Sequence, residues 1–435
     1  MYEPGAGISR ARIRLAWGAY MANVDYCTTG KPGTAMTVDA ARLRALAAVS
    51  PLRETETLGL EAALGRVAAT GSAALVNLPP FDNAAMDGYA LRTADLHGPG
   101  PWTLKVAGRV AAGDPAGQPL RPGTANRILT GAPLPPGADA VVMQERVTRV
   151  GSLIQLDIAP DPGTNIRREG EDVAAGSSPV AAGLCLTAPR LAVLAGCGIP
   201  SLPVYRRLRV AMFSTGNELQ EPGRPLAAGQ IYNSNRVMLR GLLTCPWIAL
   251  TDLGILRDDP GAIRSTIRDA AASHDVVIST GGVSAGDEDH ILDALRREDA
   301  TLDVLKVAIR PGKPLTVGRV GGALFIGLPG NPYATAITFT QIAQPALRRA
   351  AGLTETPDTA IPCVADFDYA RTPGRREYVP VTWDSRDAMG RPILHRLGQG
   401  ASASLSPLAV ARGIAALPAD LPHVHRGTPL MVEPL

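Results

Sequence analysis

The pattern that most constrains the fold is a regular alternation of two segment types between residues 205 and 351. Apolar runs of strand length, such as RVAMFST, WIALTDLGIL and DVVIST, alternate with amphipathic segments of helical period, such as GAIRSTIRDAAAS and HILDALRR. This alternation is typical of a doubly wound α/β fold, in which helices cover both faces of a parallel sheet. The sequence therefore predicts a doubly wound α/β domain over residues 205–351.

The chain on either side of this region has short apolar runs interrupted by Pro and Gly. Between residues 71 and 162 these runs predict β-hairpins or a small barrel, and residues 352–435 predict a second small all-β domain. A helix-like stretch, TAPRLAVLAGCG, lies between them and is expected to connect to or pack against the first helix. At 435 residues the chain is also too long for a single hydrophobic core, so we expect several domains.

The first predicted helix begins in the segment TVDAARLRALAAV. Thr37 is a candidate N-cap, and Leu43, Leu46 and Val49 are spaced to share one helical face. The preceding residues 1–35 contain no such pattern and are interpreted as a disordered extension outside the folded domains.

Composition and charge exclude several classes of partner. The net charge of +3 is too small for a general polyanion binder, and aromatic residues make up only 4% of the chain, so nucleic acid is not an expected partner. No apolar stretch reaches the ~18 residues needed to cross a bilayer. The five cysteines form no CxxC pair or zinc-spaced Cys/His cluster, which is typical of reduced thiols. These features predict a cytoplasmic protein without a membrane span.

The strongest local signal is a Gly-rich loop that follows a buried strand, in the segment DVVISTGGVSAGDEDHI, residues 275–291. Ligands of open α/β sheets bind beyond the carboxyl ends of the strands, and consecutive backbone N–H groups in a Gly loop bind anions. The loop at Gly281 and Gly282 therefore predicts a phosphate site. The three acids at residues 287–289 either take part in this site or only stabilise the start of the next helix.

A pair of carboxylates, Asp258 and Asp259, follows the predicted strand WIALTDLGIL. Because the ends of parallel strands meet at one edge of a sheet, these carboxylates are expected near the Gly loop. Carboxylates beside a phosphate site are an arrangement that binds Mg²⁺ on a phosphorylated substrate. Capping of the helix that begins near Pro260 is the alternative role for both residues.

Three cations lie close together in the segment KVAIRPGKPLTVGR, at Lys306, Arg310 and Lys313. If residues 306–309 form one strand, Lys306 and Arg310 face the same way. Three such cations would neutralise a bound polyanion, such as pyrophosphate or molybdate. A solvated basic edge strand is the alternative.

Other polar groups stand beside turns. FSTGNEL and YNSN lie at a strand end and a helix start, and Glu218 is a candidate base or a partner for a pterin ring. In the β-rich part, Asp87 and Thr130 stand beside similar turns. A plain turn is the competing explanation for each of these segments.

Seven segments of the chain occur in the order seen in one protein family: FDNAAMDGYA, TGAPLPPGADAVVMQE, NIRREGEDV, FSTGNEL, STGGVSAGDEDH, AIRPGKP and GLPGNP. In these segments the chain resembles the MoeA and gephyrin E-domain family, the molybdopterin molybdenumtransferases. The resemblance extends over residues 36–435. It implies an elongated N-terminal domain at 36–76 and 165–204, an inserted β-rich domain at 77–164, a molybdopterin-binding α/β domain at 205–351 and a C-terminal β-barrel at 352–435.

Together with the segments above, the resemblance predicts the residues of a site. The catalytic candidates are Asp87, Glu218, Asp258, Asp289, Lys306 and Lys313. The substrate-binding candidates are Thr130, Asp172, Thr215, Gly216, Ser234, Gly281, Gly282, Ser284, Arg310, Pro329 and Pro332. Asp258 and Asp289 are the candidate ligands of Mg²⁺. Every version of this site requires Asp258, Asp289 and Lys313 to lie at one edge of the sheet.

Two residues depart from the pattern common in the family. Arg310 stands where many members have lysine, which keeps the charge but replaces a compact ammonium with a planar guanidinium. Asn217 stands where an acid is common. The C-terminal segment ASASLSPLAVARG follows the family pattern only loosely, and no function is assigned to that domain.

The resemblance implies an activity and an assembly. Family members are homodimers whose site joins the α/β domain of one subunit to the inserted domain of the other. The implied reaction inserts molybdate into adenylylated molybdopterin with Mg²⁺-dependent release of AMP. A molybdopterin adenylyltransferase and proteins that mature molybdoenzymes are candidate partners. Two other functions are the adenylylation of molybdopterin itself and a non-catalytic scaffold of the gephyrin type.

Overall fold

The computed structural model describes residues 35–281, 290–298, 300–354 and 359–435. Within these ranges no helix combines the length and the hydrophobicity needed to cross a membrane. The predicted N-terminal extension lies outside the described ranges, except for its last residue.

The first helix, Val38–Ala47, packs against the core of the α/β domain. The Thr37 hydroxyl accepts a hydrogen bond from the backbone N–H of Ala40 at 3.2 Å, so the predicted N-cap is confirmed. The predicted apolar face is wrong, because Leu43 is 55% exposed. Small residues cover the buried face instead and let the helix approach the core closely: Val38, Ala41 and Ala45.

Two separated stretches of chain share one core and form the unit for which the resemblance implies an elongated shape, called the elongated part below. The strand Thr55–Gly59 pairs antiparallel with Ser201–Tyr205. The helix Ala188–Gly196 packs with these strands, and Leu194 and Leu202 are buried in the shared core. The chain between the two stretches therefore leaves this part and returns to it.

The intervening chain forms a six-stranded mixed sheet. In spatial order its strands are Ala140–Met143, Gly88–Leu91, Thr124–Ile128, Trp102–Val110, Leu153–Leu156 and Val147–Val150. The two central strands run parallel and the other neighbours are antiparallel. A short ladder of Asn83–Ala84 with Ile166–Arg167 lies near the two chain crossings to the elongated part. The runs cut by Pro and Gly thus form one inserted β-rich unit, as predicted.

The α/β domain is built on another six-stranded sheet. In chain order its strands are β1 Leu208–Thr215, β2 Ile248–Leu256, β3 Val276–Thr280, β4 Thr301–Lys306, β5 Pro314–Val320 and β6 Ala323–Leu328. Their spatial order is β2-β1-β3-β6-β5-β4. The four neighbouring strands β2, β1, β3 and β6 run parallel, as predicted. The strand β5 is antiparallel to both of its neighbours, β6 and β4. The Gly321–Gly322 turn explains this difference, because two-residue turns join antiparallel strands.

Helices cover both faces of this sheet. They are Ser234–Leu242, Pro260–Ser273, His290–Arg297 and a continuous helical segment made of Pro332–Thr338, the π-helical turn Phe339–Ala343 and Gln344–Ala350. Met212 and Phe213 of β1 point to opposite faces and pack in different helical layers. The doubly wound architecture is therefore confirmed. A short ladder of Leu219–Gln220 with Ile231–Tyr232 follows β1.

The C-terminal domain is a closed five-stranded barrel, as the resemblance implies. Around the barrel the strands are Arg376–Thr382, Ile393–Arg396, Ile361–Ala365, Pro429–Pro434 and Gly413–Leu417, and the last pairs with the first. A ladder of Tyr369–Ala370 with His423–Val424 and the helix Ser406–Val410 accompany it. The strand Ile309–Arg310, from the predicted basic segment, pairs parallel with the start of the first barrel strand.

Asp275 joins the elongated part to the α/β sheet. Its carboxylate accepts hydrogen bonds from Arg206 Nη1 and Nη2, at 2.6 and 2.9 Å, and from the backbone N–H of Arg209 at 2.8 Å. Burial raises the pKa of Asp275, but the hydrogen bonds from Arg206 and Arg209 outweigh that effect and lower the pKa from 3.8 to about 2. The carboxylate therefore stabilises the folded state only while it is ionised.

We expect Asp275→Asn to lower the free energy of unfolding at neutral pH by about 2 kcal/mol. Because the pKa is lower in the folded state, the stabilisation is complete above pH ~4 and is lost as the pH falls toward ~2. Urea unfolding of both proteins at neutral pH and at pH ~3 measures the difference. Asp269→Asn, at an aspartate that is 69% exposed, is the matched control. If the difference in the free energy of unfolding between Asp275→Asn and the wild type is the same at pH ~3 as at neutral pH, this explanation is contradicted.

Candidate active site

A cavity of about 820 Å³ lies at the carboxyl edge of the α/β sheet. Its lining includes Thr215 at the end of β1, Asp258 after β2, Gly281 after β3 and Pro329 after β6. These residues are far apart in the sequence, and they meet because parallel strands have their carboxyl ends on one edge. The edge of the sheet at which the sequence predicts a ligand therefore contains a cavity large enough to hold one.

Eight of the predicted site residues line this cavity: Thr215, Gly216, Glu218, Asp258, Gly281, Arg310, Lys313 and Pro329. Asp258 and Lys313 therefore lie at the same edge of the sheet, as the predicted site requires. Three predicted residues lie outside the described ranges, namely Gly282, Ser284 and Asp289. The roles of all these residues in a reaction stay predictions.

Other predicted residues of the α/β domain lie beside the cavity lining. Lys306 ends β4, is exposed, and does not belong to the described lining. The expectation that Lys306 and Arg310 share one strand face is wrong, because the chain leaves the α/β sheet after Lys306 and Arg310 belongs to the barrel sheet. Ser234 and Pro332 are the first residues of two helices, where they are partly exposed.

Asp87 and Thr130 form a second polar cluster, in the inserted β-rich unit. Thr130 donates to Asp87 Oδ1 from its hydroxyl at 2.6 Å and from its backbone N–H at 2.7 Å. These two bonds, with a smaller contribution from Arg127, lower the pKa of Asp87. The carboxylate is therefore ionised at neutral pH. Asp87, Thr130 and the exposed Asp172 are all absent from the lining of the cavity as far as the structure describes it.

Two carboxylates form the acidic side of the cavity. Gly216 has φ +146°, and a Cβ at this position would lie 2.3 Å from Glu218 Oε2, so the glycine makes room for that carboxylate. Asp258 is held by Asn217 through two hydrogen bonds. The Asn217 backbone N–H donates to Asp258 Oδ2 at 2.9 Å, and the Asp258 backbone N–H donates to Asn217 Oδ1 at 3.3 Å. Asn217, which departs from the family pattern, therefore positions Asp258.

The sequence leaves ligand binding and helix capping open for both Asp258 and Asp259, and the structure assigns a different one to each residue. Asp259 is the N-cap of the helix Pro260–Ser273, and its Oδ1 accepts a hydrogen bond from the backbone N–H of Ala262 at 2.6 Å. Asp258 points to the cavity and pairs with Asn217. Capping thus explains Asp259, while Asp258 is available for a ligand.

Arg310, Lys313 and Arg375 form the basic side of the cavity. Arg310 Nε lies 3.5 Å from Glu377 Oε1, and the Glu377 side chain is only 4% exposed. Arg310 itself is 39% exposed, so its remaining N–H groups can reach a ligand in the cavity. Acidic and basic side chains in one cavity suit a ligand that combines phosphate groups with a cation.

The barrel supplies residues that sequence reasoning missed. Arg375, Gly400 and Ser402 line the cavity, although no function was assigned to the C-terminal domain. Asn331 Nδ2 donates to Ser402 Oγ at 3.0 Å, and the backbone N–H of Tyr333 donates to the Ser402 carbonyl at 3.1 Å. These bonds fix the barrel loop against the loop after β6. No spacing in the sequence indicates this contact, which arises only from the packing of two domains.

Gly281 is a position where added volume should damage the cavity. Its φ is +82°, and a Cβ would lie 2.7 Å from the carbonyl oxygen of Thr215. Because that oxygen is backbone, Gly281→Ala should displace the ends of β1 and β3 and weaken the binding of pyrophosphate by about tenfold, or ~1.4 kcal/mol. Calorimetric titration measures the affinity.

Gly321→Ala is the control for Gly281→Ala. Gly321 also has a positive φ, of +54°, but a Cβ there meets nothing within 4 Å. The Gly321→Ala substitution therefore adds backbone strain without a steric contact in the cavity. Equal losses of pyrophosphate affinity in the two variants would contradict the steric explanation.

Known proteins resemble the chain over most of its length. A molybdopterin molybdenumtransferase of Haemophilus influenzae is 41% identical over 318 residues, which are 73% of this chain and 78% of that protein. One from Nostoc is 37% identical over 389 residues, covering 87% of this chain and 88% of that protein. The structure of a molybdopterin biosynthesis moeA protein from Pyrococcus horikoshii has a TM-score of 0.79 at 28% identity, and the match covers 92% of this chain and all of that one.

The cavity, lined by both acids and cations at the carboxyl edge of a doubly wound sheet, defines an α/β protein with a candidate site for a charged ligand. Three family models match the chain in order: the MoeA N-terminal region (domain I and II) at residues 36–198, a probable molybdopterin binding domain at 211–349 and the MoeA C-terminal region (domain IV) at 363–435. With the relatives above, these matches show that the chain belongs to the family of the molybdopterin molybdenumtransferases. The resemblance drawn from the seven sequence segments is confirmed.

Proposed function

We propose that this protein inserts molybdenum from molybdate into adenylylated molybdopterin, with release of AMP, in the cytoplasm. The observation that carries the proposal is that Asp258 and Glu218 line the same cavity as Arg310 and Lys313. The pyrophosphate of the substrate is a polyanion that needs cations from the protein and tolerates carboxylates only through a bridging metal. The cavity provides both kinds of group.

The cationic side chains would bind and orient the substrate. Arg310 can donate two parallel hydrogen bonds to phosphate oxygens, and Lys313 contributes a flexible point charge. Gly281, together with Gly282, would bring backbone N–H groups to the same phosphates. Glu218 would accept hydrogen bonds from the donor-rich edge of the pterin ring. Molybdate, itself an anion, would enter beside Arg310 and Lys313.

The donor set of the acidic wall fits Mg²⁺. Asp258 uses Oδ2 for the Asn217 amide, and carboxylate oxygens are the hard ligands that Mg²⁺ prefers. Asp258 and Asp289 would hold the ion. When bound, Mg²⁺ would neutralise charge on the pyrophosphate. Asn217 would keep the Asp258 carboxylate in place throughout the reaction.

The chemical change is a hydrolysis coupled to ligand exchange. The P–O–P bond of the anhydride breaks as water adds across it, giving AMP and the monophosphate of molybdopterin. The two dithiolene sulfurs form bonds to molybdenum as one Mo–O bond of molybdate breaks, and that oxygen leaves as one water molecule with the two protons of the thiols. The chain would hold the two reacting ends of the substrate close to molybdate, which lowers the entropy cost of the exchange.

The decisive assay combines the purified protein, adenylylated molybdopterin, Mg²⁺ and molybdate. We expect AMP and a cofactor that activates an apo-molybdoenzyme to appear together. Consumption of ATP with molybdopterin, and no AMP-forming cleavage, would instead indicate the adenylyltransferase reaction. Tight binding of a partner protein without turnover would indicate a scaffold. Omission of molybdate serves as the control for cofactor formation.

We also propose that the active form is a homodimer, in which the partner subunit contributes Asp87 and Thr130 to the cavity. Phe81 and Met86, close to Asp87 in the chain, are 42% and 46% exposed, as expected for apolar side chains at an interface. A molybdopterin adenylyltransferase and molybdoenzyme maturation proteins are candidate partners for transfer of substrate and product.

Mixing two inactive variants tests the shared site. Asp87→Ala and Asp258→Asn each damage both sites of their own homodimer, whereas a mixed dimer retains one intact site. Random exchange of subunits should therefore restore about a quarter of the wild-type activity. Unfolding and refolding the two variants together allows the exchange, and each variant refolded alone is the control. Mixed dimers without activity would contradict the shared site.

A further inference from the structure

A cluster of metal-binding side chains lies on the C-terminal barrel, among residues that do not line the cavity. One ligand atom from each of Asp368, His423 and His425 lies within 4.8 Å of the other two. The strand Tyr369–Ala370 pairs antiparallel with His423–Val424, so Asp368 is brought opposite His425. The two histidines are two residues apart on an extended segment and share one face. Local strand pairing therefore assembles the three groups.

The distances within this cluster are longer than hydrogen bonds and suit ligands of one ion. Asp368 Oδ1 lies 3.8 Å from His423 Nε2 and 3.5 Å from His425 Nδ1. Metal–ligand bonds of ~2.0–2.1 Å at tetrahedral angles place neighbouring ligand atoms about 3.3 Å apart. The rings of His423 and His425 are stacked, with centroids 4.0 Å apart and an interplanar angle of 10°. Small rotations of the side chains would bring all three atoms to one ion.

His423 Nε2 gives a second, independent indication. This nitrogen is buried and has no hydrogen-bond partner within the described part of the chain. Buried polar atoms of folded proteins are almost always paired, so an unpaired one needs an explanation. A bound ion would satisfy the nitrogen lone pair directly.

We propose that Asp368, His423 and His425 bind one divalent transition-metal ion of the Zn²⁺ class, with water completing the coordination shell. Two imidazoles and one carboxylate are the ligand set that this class prefers, whereas Mg²⁺ prefers oxygen ligands alone. The ion would join the segment at Asp368 to the chain that leads into the last barrel strand. Its binding would therefore stabilise the C-terminal domain.

The neighbouring charges leave this site accessible. Arg426 Nε lies 3.8 Å from Asp368 Oδ2 and 3.6 Å from Asp366 Oδ1, whereas the imidazoles are paired with Asp368 Oδ1. The Arg426 side chain is 71% exposed and can move when an ion binds. His395 belongs to a separate group, 3.6 Å from Asp366 and from Asp384.

Calorimetric titration of the full chain with Zn²⁺ tests the site. The protein carries no affinity tag and is first treated with a chelator. We expect His425→Ala and Asp368→Asn to lose one binding equivalent or to weaken it by more than about tenfold. His425 is 70% exposed, so its replacement leaves the barrel core intact. His97→Ala, at an exposed histidine of the inserted unit, is the matched control and should bind like the wild type.

Three results would overturn the proposal. The first is that His425→Ala binds Zn²⁺ as tightly as the wild type. The second is that His395→Ala weakens binding as much as His425→Ala does. Either result would mean that other groups hold the ion. An excess of Mg²⁺ could displace the ion, which would show that carboxylates alone hold it. As a second readout, Zn²⁺ should raise the Tm of the wild type and leave the Tm of His425→Ala unchanged. These measurements need no molybdopterin, so they are independent of the proposed activity.

Discussion

Replacing Asp258 by asparagine should reduce the rate of AMP release by at least about a hundredfold, the effect typical of losing one preorganised electrostatic contact at a reacting centre. Asparagine has the same shape and keeps an oxygen that can accept the Asn217 N–H, which bonds Asp258 Oδ2 at 2.9 Å. It lacks the negative charge that would hold Mg²⁺ on the pyrophosphate. The fold and the cavity should therefore persist while the reaction slows.

The neighbouring Asp259 provides the control for this substitution. Asp259 caps the helix Pro260–Ser273 through Oδ1, and asparagine caps helices about as well as aspartate. Asp259→Asn should therefore retain nearly full activity and stability. Steady-state rates at varied Mg²⁺ concentrations compare both variants with the wild type. Near-normal activity of Asp258→Asn would contradict the role proposed for Asp258. A large loss of activity in a folded Asp259→Asn would contradict the assignment of Asp259 to helix capping alone.

Replacing Glu377 by alanine should lower the free energy of unfolding of the barrel by about 3–5 kcal/mol, as expected when one partner of a buried ion pair is removed. The Glu377 carboxylate accepts hydrogen bonds from Arg371 Nε at 3.1 Å and from the Tyr369 hydroxyl at 2.9 Å. The Arg371 side chain is only 1% exposed. Without Glu377 its charge would stay buried with only carbonyl oxygens as partners.

The fluorescence of Trp383, which packs against the barrel core, reports this change during urea unfolding. Glu377→Gln should cost less than Glu377→Ala, because the amide still accepts the tyrosine hydrogen bond. Asp384→Ala is the surface control, since that side chain is 81% exposed. A loss below about 1 kcal/mol in Glu377→Ala would mean that the pair is not effectively buried.

Glu377 also connects barrel stability to the candidate site. Its Oε1 lies 3.5 Å from Arg310 Nε, and Arg310 lines the cavity. In Glu377→Gln, Arg310 loses a charged partner, so its position in the cavity should become less fixed. We therefore expect a higher KM for adenylylated molybdopterin in Glu377→Gln even where the barrel is folded.

Much of the architecture could be predicted from periodicity. The strands β1 to β3 and the helices between them follow directly from apolar runs of two different periods. The antiparallel edge was missed, although the Gly321–Gly322 turn was visible in the sequence as a hairpin signal. The first helix was placed correctly, but its buried face was not, because its partner surface comes from residues about 300 positions later, such as Gln341.

The candidate site was predicted in part for the same reason. Asp258, Gly281 and Pro329 follow mutually parallel strands of one sheet, so the rule that such strand ends share an edge places them together. Lys306 was misplaced, because the sequence does not indicate that the chain changes sheets before Arg310. The loop residues Gly400 and Ser402 carried no signal at all.

The sequence alone determined the family, the doubly wound domain and the edge at which acids and glycines gather. These properties depend on local periodicity and on ordered segments, which are written along the chain. Only the tertiary structure decided that the barrel completes the cavity, that Asp258 and not Asp259 faces it, and that Asp368 meets two histidines. Such contacts depend on how separate domains pack, and packing brings together residues whose spacing in the chain carries no record of it.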